Sequence, residues 1–175
     1  MASIRPAARA DILTMQAIEL DAGRRFADIG MPEVAAAPPP TAAELTEPIE
    51  SGRAWVAEDA DGTVVGFAVA AIVDRQAHLS QVSVSVAGGG HGAGGALVAT
   101  VMEWAHSAGC KWITLTTFRD VAFNGLWYSR LGFAAVPTHE QGPELQAIRA
   151  AEIDSGLDAQ GPRVAMRRAI NPADF

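Results

Sequence analysis

The segment Gln81–Val98, QVSVSVAGGGHGAGGALV, constrains the fold of this chain more than any other because the structural period changes twice within it. Val82, Val84 and Val86 alternate with Ser83 and Ser85, the pattern of a half-buried strand. Six glycines then crowd into Gly88–Gly95, after which Leu97, Val98, Val101, Met102 and Ala105 recur on one face of a helix. Gly109 is a natural stop for that helix, and Lys111–Phe118, KWITLTTF, has the β-branched and aromatic content of a strand. A strand, helix, strand crossover makes its two strands parallel. The glycine turn also has a chemical meaning. It leaves several backbone N–H groups unpaired at the positive end of a helix dipole, with no side chains to hold an anion away. Phosphate or pyrophosphate is the natural ligand of such a turn.

Elsewhere the patterns mix helices with an antiparallel meander. Ile4–Ala7 reads as a first strand, and Asp11 as the cap of a helix carrying Ile12, Met15, Ile18, Ala22 and Phe26 on one face. Gly30–Pro40 reads as loop through its prolines, and Thr41 with Glu44 forms a T-x-x-E capping box that opens a short helix ending near Gly52. Arg53–Glu58 and Thr63–Val73 flank the turn Asp59-Ala60-Asp61-Gly62, and Ala77–Val86 follows as the third strand of a meander. Helices are expected over Ala122–Leu131 and Glu144–Ile153, and strands over Gly132–Val136 and Arg163–Ile170. The order predicts an α+β fold with helices packed on a mostly antiparallel sheet.

The length of 175 residues suits one domain spanning 1–175. A net charge of −7 argues against a nucleic-acid partner, the nearest basic cluster being Arg163, Arg167 and Arg168. The single cysteine, Cys110, excludes an internal disulfide framework and reads as a small core residue. No stretch has signal-peptide or membrane-span length, so a cytoplasmic protein without membrane attachment is expected. His78, His91, His106 and His139 have no metal-ligand spacing, and no metal is expected.

Gly90-His91-Gly92-Ala93-Gly94-Gly95 also matches G-x-G-x-x-G, the fingerprint of a dinucleotide-binding turn. Such a site wants an acidic residue at the end of the next strand, where this chain has Leu115-Thr116-Thr117-Phe118. A third reading is a glycine-rich connection without a ligand.

The order of meander strand, glycine turn from Gly89 to Gly94, and Tyr128-Ser129-Arg130-Leu131-Gly132-Phe133 resembles the GNAT superfamily of acyl-CoA-dependent N-acyltransferases, with its Q/R-x-x-G-x-G/A and Y-x-x-x-G-F motifs. Ile4-Arg5-Pro6-Ala7 and the hairpin Trp55–Ala68 are similar to its opening elements. GMPEV, LTTFRDVAFN and EIDSGLDAQGPRVAMRR resemble a bacterial subgroup whose members mostly lack assigned substrates. The resemblance implies a twisted sheet of about six to seven strands whose parallel pair splays around acyl-CoA. Acetyl-CoA would be the acyl donor, its pantetheine pairing with the backbone of Val82, Ser83 and Val84. Gly89, Gly90, His91, Gly92, Ala93, Gly94 and Gly95 would take the pyrophosphate, and a backbone N–H near Val84 would steady the developing oxyanion. Tyr128 would protonate the leaving thiolate; its other reading is a packing tyrosine. Asn124 has two readings, cofactor contact or helix cap.

The acceptor implied is an amine, on a small molecule or at a protein N-terminus or lysine, and a homodimer fits the family's habit. A base is missing at the usual place. Relatives commonly carry glutamate where this chain has Gln81, and an amide cannot take an ammonium proton. His78, Asp120 and Glu33 are alternatives, each read more simply as solvated surface. Gln81 therefore leaves open an acyl-CoA-binding or sensing module with weak or absent turnover.

Overall fold

A computed structural model describes residues 2–171. Its contacts divide the chain into two units, Met1–Ala71 with Leu79–Val101, and Ile72–His78 with Met102–Phe175. The strand order is β1-β2-β3-β4-β5-β7-β6. Strands β1 (Ser3–Pro6), β2 (Ala54–Glu58), β3 (Val64–Val73) and β4 (Gln76–Val84) form the meander, and β5 (Trp112–Phe118), β6 (Ala134–Ala135) and β7 (Arg163–Ala169) follow. The β1–β2, β2–β3, β5–β7 and β6–β7 ladders are antiparallel. β4 and β5 are parallel, as a crossover requires, through Ala77 opposite Ile113 and His78 opposite Thr114.

In the first unit, α1 (Ile12–Ala27) and α3 (Ala42–Glu50) cover one face of β2 and β3. Met15, Ile18, Leu45, Val56 and Phe67 form the center of that core. Each such side chain contributes roughly 1.5–3 kcal/mol by leaving water. The capping box at α3 is present: Thr41 N–H donates to Glu44 Oε2 at 2.7 Å, and Glu44 N–H to Thr41 Oγ1 at 3.2 Å. Asp11, in contrast, makes no side-chain cap for α1. Its carboxylate accepts from Ala8 N–H at 2.7 Å and from both Nη atoms of Arg5, because a 3-10 turn over Arg9–Asp11 precedes the helix. The Gly30–Pro40 segment is not all loop, since Pro32 starts a one-turn helix, α2 (Pro32–Ala35).

Helix α4 (Ala93–Ser107) follows the glycine turn and ends before Gly109, whose φ is +75°. In the second unit, α5 (Gly125–Arg130) is shorter than its apolar pattern predicts and β6 is two residues long. β7 lies between β5 and β6 in the sheet. Helices α6 (Pro143–Asp154) and α7 (Leu157–Gln160) lead into β7. Glu152 on α6 joins Arg149, Arg163 and Thr116 in one half-buried polar network.

The β3–β4 connection has no glycine, yet Asp74 and Arg75 both have positive φ, 51° and 59°. Asp74 is held there by a second role: its carboxylate accepts from Glu144 N–H at 2.9 Å and Leu145 N–H at 3.0 Å, capping α6 from outside that helix. Asp74→Ala is therefore expected to cost about 1–2 kcal/mol of stability. Asp74→Asn keeps an acceptor and tolerates positive φ, so it should lose less. Urea denaturation of the three proteins checks this; equal midpoints for the two variants would show that the cap is not the cause.

Candidate functional site

In the first unit the chemistry gathers where β4 runs into the glycine turn. Gly90 and Gly92 have φ of +80° and +83°, which L side chains rarely adopt, and these two residues bend the chain into α4. The N–H groups just before the bend are satisfied locally: Gly88 donates to Ser85 Oγ at 3.1 Å and Gly89 to Val86 O at 3.2 Å. Ala96 donates to Gly92 O at 3.0 Å, the first closed bond of the helix. Between them, among the described residues, the N–H groups of Gly90, His91, Gly92, Ala93, Gly94 and Gly95 have no protein acceptor. His91 is exposed. Gly66 on β3 lets β4 come close, since a Cβ there would lie 3.0 Å from Ser83 O and 3.1 Å from a Val84 methyl.

Three side chains of α1 reach this segment. Glu19 accepts a short hydrogen bond from Ser83 Oγ, and Asp21 Oδ2 accepts from Val86 N–H at 2.7 Å. Arg25 places its guanidinium against the turn: a Cβ on Gly89 would fall 2.7 Å from Arg25 Nη2. Sequence reasoning missed all three because they lie on a helix far away in the chain, and nothing in their local pattern marks them. A single signal was present. Gly89 stands where the motif expects glutamine or arginine, so a cation from elsewhere had room to enter.

Beside the same strand lies a cavity of about 570 Å³. Its lining includes Pro39, Leu45, Val69, Ser80 and Gln81, with Glu44 and Glu47 also on its wall. Volumes of this size hold small molecules. Gln16 Nε2 donates to Pro40 O at 2.9 Å and ties the proline loop to α1. The Gln81 side chain has no hydrogen-bond partner among the described residues.

In the second unit, Tyr128 is buried on α5, edge-on to Trp127 and Phe133 with ring centroids 4.8 and 5.6 Å away. Burial pushes its phenol above the ordinary tyrosine value, so it stays protonated at neutral pH. Asn124 does not cap α5. Its Oδ1 accepts from Thr117 Oγ1 at 2.9 Å instead, which fixes the approach to the helix from β5.

The alternative bases are placed unfavourably. Asp120 is exposed and paired with Arg119. Glu33 is on exposed α2. His78 is not solvated surface but buried, its Nδ1 2.9 Å from Thr114 Oγ1 across the parallel ladder. Burial likewise raises the Cys110 thiol, in keeping with a core residue. No described helix is long and apolar enough to cross a membrane, and no cluster of three metal-ligating side chains occurs among the described residues.

Residues 24–133 match the model of the acetyltransferase (GNAT) family. The chain belongs to that family. Solved structures carry the same fold at low identity. N-acetylglutamate synthase from Neisseria gonorrhoeae, complexed with coenzyme A and N-acetyl-glutamate, is 18% identical with a TM-score of 0.71. The match covers 98% of this chain but only 35% of that one. The PaiA N-acetyltransferase from Thermoplasma acidophilum, in complex with coenzyme A, is 14% identical with a TM-score of 0.69, covering 97% and 99% of the two chains. The ribosomal-protein-S18-alanine N-acetyltransferase from Escherichia coli is 16% identical with a TM-score of 0.66, covering 98% and 95%. The GNAT fold removes the dinucleotide reading of the turn, because this sheet is mostly antiparallel with one parallel pair, where a dinucleotide fold is built on a mostly parallel sheet.

His78 carries a consequence for this GNAT domain at acid pH. Desolvation lowers its imidazole from 6.5 to about 4, against smaller opposing effects of Glu152 and Asp74. The unfolded chain binds a proton there that the folded chain refuses, so its contribution to stability is complete above pH 6.5 and is lost as pH falls toward 4. Between pH 7 and pH 4.5 this group should remove about 2–3 kcal/mol. His78→Gln should flatten that part of the curve, read from urea midpoints across the range; an unchanged slope would refute the assignment.

Proposed function

We propose that this chain is a single-domain N-acetyltransferase that moves an acetyl group from acetyl-CoA to an amine by direct attack on the thioester. The observation that carries the reading is the run of N–H groups from Gly90 to Gly95 without protein acceptors, at the start of α4 in a chain of the GNAT family. Six donors at a helix N-terminus suit a pyrophosphate. Arg25 adds the positive charge that the motif position Gly89 lacks, and a guanidinium forms strong charge-assisted hydrogen bonds with phosphate. The backbone of Val82, Ser83 and Val84 is assigned to pantetheine. Coenzyme A in the complexes of two fold relatives agrees with this donor.

The acceptor nitrogen forms a bond to the carbonyl carbon and the carbon–sulfur bond breaks. Tyr128, protonated at neutral pH, gives its proton to the leaving thiolate and regains one from solvent. The cavity wall carries Gln81 and Glu44, with Glu47 neutralised by Arg53, so its one uncompensated charge among the described residues is the Glu44 carboxylate, which favours an acceptor that is cationic before reaction. Gln81 also motivates a second reading, an acyl-CoA-binding module without turnover.

Calorimetry is expected to detect acetyl-CoA binding, and no heat at about 1 mM ligand would overturn both readings. Thiol release with 1,4-diaminobutane, spermidine and L-lysine amide separates them. Tyr128→Phe should reduce kcat by roughly 10²-fold with acetyl-CoA affinity unchanged; absence of turnover in the parent protein would leave the binding module. Arg25→Met should weaken acetyl-CoA binding about tenfold. It should leave turnover of acetyl-pantetheine, which has no pyrophosphate, at the parent rate, and a fall in both would refute a phosphate contact.

A further inference from the structure

We propose that Glu19 of α1 is the general base that Gln81 cannot be. The assignment rests on the acyl-transfer reading above and names a residue for it. Two observations in the first unit converge. The Glu19 carboxylate is half-buried and held by the Ser83 hydroxyl, so it is fixed in place without a cation to neutralise it. Ser83 is two residues beyond Gln81, and strand alternation puts both side chains on one face of β4, about 7 Å apart. Gln81 lines the cavity. A carboxylate arriving from α1 is therefore one strand step from the cavity wall.

The other charged groups near this face have different work. Asp21 is engaged by the Val86 N–H, and Arg25 lies against Gly89. Glu44 Oε2 accepts from both the Thr41 N–H and the Thr41 hydroxyl, and Glu47 is paired with Arg53. Among the described residues Glu19 is engaged only by a neutral hydroxyl, which donates a hydrogen bond to one carboxylate oxygen and leaves the second to accept.

The step balances. Glu19 accepts one proton from the ammonium acceptor, leaving a free amine. As nitrogen bonds to the carbonyl carbon it becomes acidic and loses a second proton to solvent. The carbon–sulfur bond breaks, the thiolate takes its proton from Tyr128, and Glu19 releases its own to water. The products are an amide, coenzyme A thiol and a net proton. Gln81 in this arrangement orients the amine through its free amide oxygen.

The test compares the parent protein with Glu19→Gln and Ser83→Ala, using 1,4-diaminobutane, spermidine and L-lysine amide as probes. Glu19→Gln keeps an oxygen to accept from Ser83, so the fold should survive, and melting temperature checks it. At pH 7 its kcat/KM should fall by about 10²-fold or more. The deficit should shrink at least about tenfold by pH 10, where an amine with pKa of about 10.4 supplies free base unaided. Acetyl-CoA affinity by calorimetry should stay within about twofold, since Glu19 is not assigned to the donor. Ser83→Ala leaves the carboxylate but frees it, so a smaller loss, about tenfold, is expected. A purely structural role for Glu19 would give a deficit that does not change with pH, and that result overturns the proposal. So does full activity of Glu19→Gln at pH 7, which leaves acyl transfer standing. A parent protein that binds acetyl-CoA and acetylates none of the probes overturns both.

Discussion

The contact between α1 and the end of β4 is the constraint on which the chemistry of the first unit depends. A buried stripe of Ile12, Met15 and Ile18 anchors the helix to the sheet, and the same seating projects Glu19, Asp21 and Arg25 onto the strand and turn. Apolar packing is non-directional and sets only the distance. The polar ties then fix register: a hydroxyl, a backbone N–H and a glycine each receive one side chain. One helix thus supplies a carboxylate to the strand and a cation to the turn.

What could be read from the sequence divides by range of interaction. The glycine cluster and the Thr41–Glu44 capping box are local, and each appears as expected, whereas the valine–serine strand stops at Val84 and leaves Val86 exposed. The crossover also followed from local signals, since a strand, a helix and a strand in that order have one chirality and one direction. The placement of β7 between β5 and β6 had no such signal, because a seven-residue strand does not announce its neighbours. Asp74 and Arg75 were hidden for a similar reason. Their left-handed turn is stabilised by the start of a helix some seventy positions on, not by the glycine that a sequence reader looks for.

The candidate site was legible where backbone makes it and hidden where side chains do. The unpaired N–H groups follow directly from glycines at a helix start. Glu19 and Arg25 left no trace, because a glutamate or an arginine on a helix is ordinarily a solvated residue. His78 went the other way. Its strand position looked exposed, yet the parallel partner β5 buries it against Thr114.

The left-handed geometry at Gly90 and Gly92 has a consequence for how such a turn changes over time. The direction of the turn's own donors is set by dihedral angles and not by functional groups, so the turn itself has no side chain to lose. The exposed His91 between them is free to drift. Damage comes by addition: one extra methyl at either glycine forces a strained backbone or turns the donors away, whereas most substitutions elsewhere on that surface leave the hydrogen-bond donors where they are. The turn is therefore tolerant in chemistry and intolerant in shape.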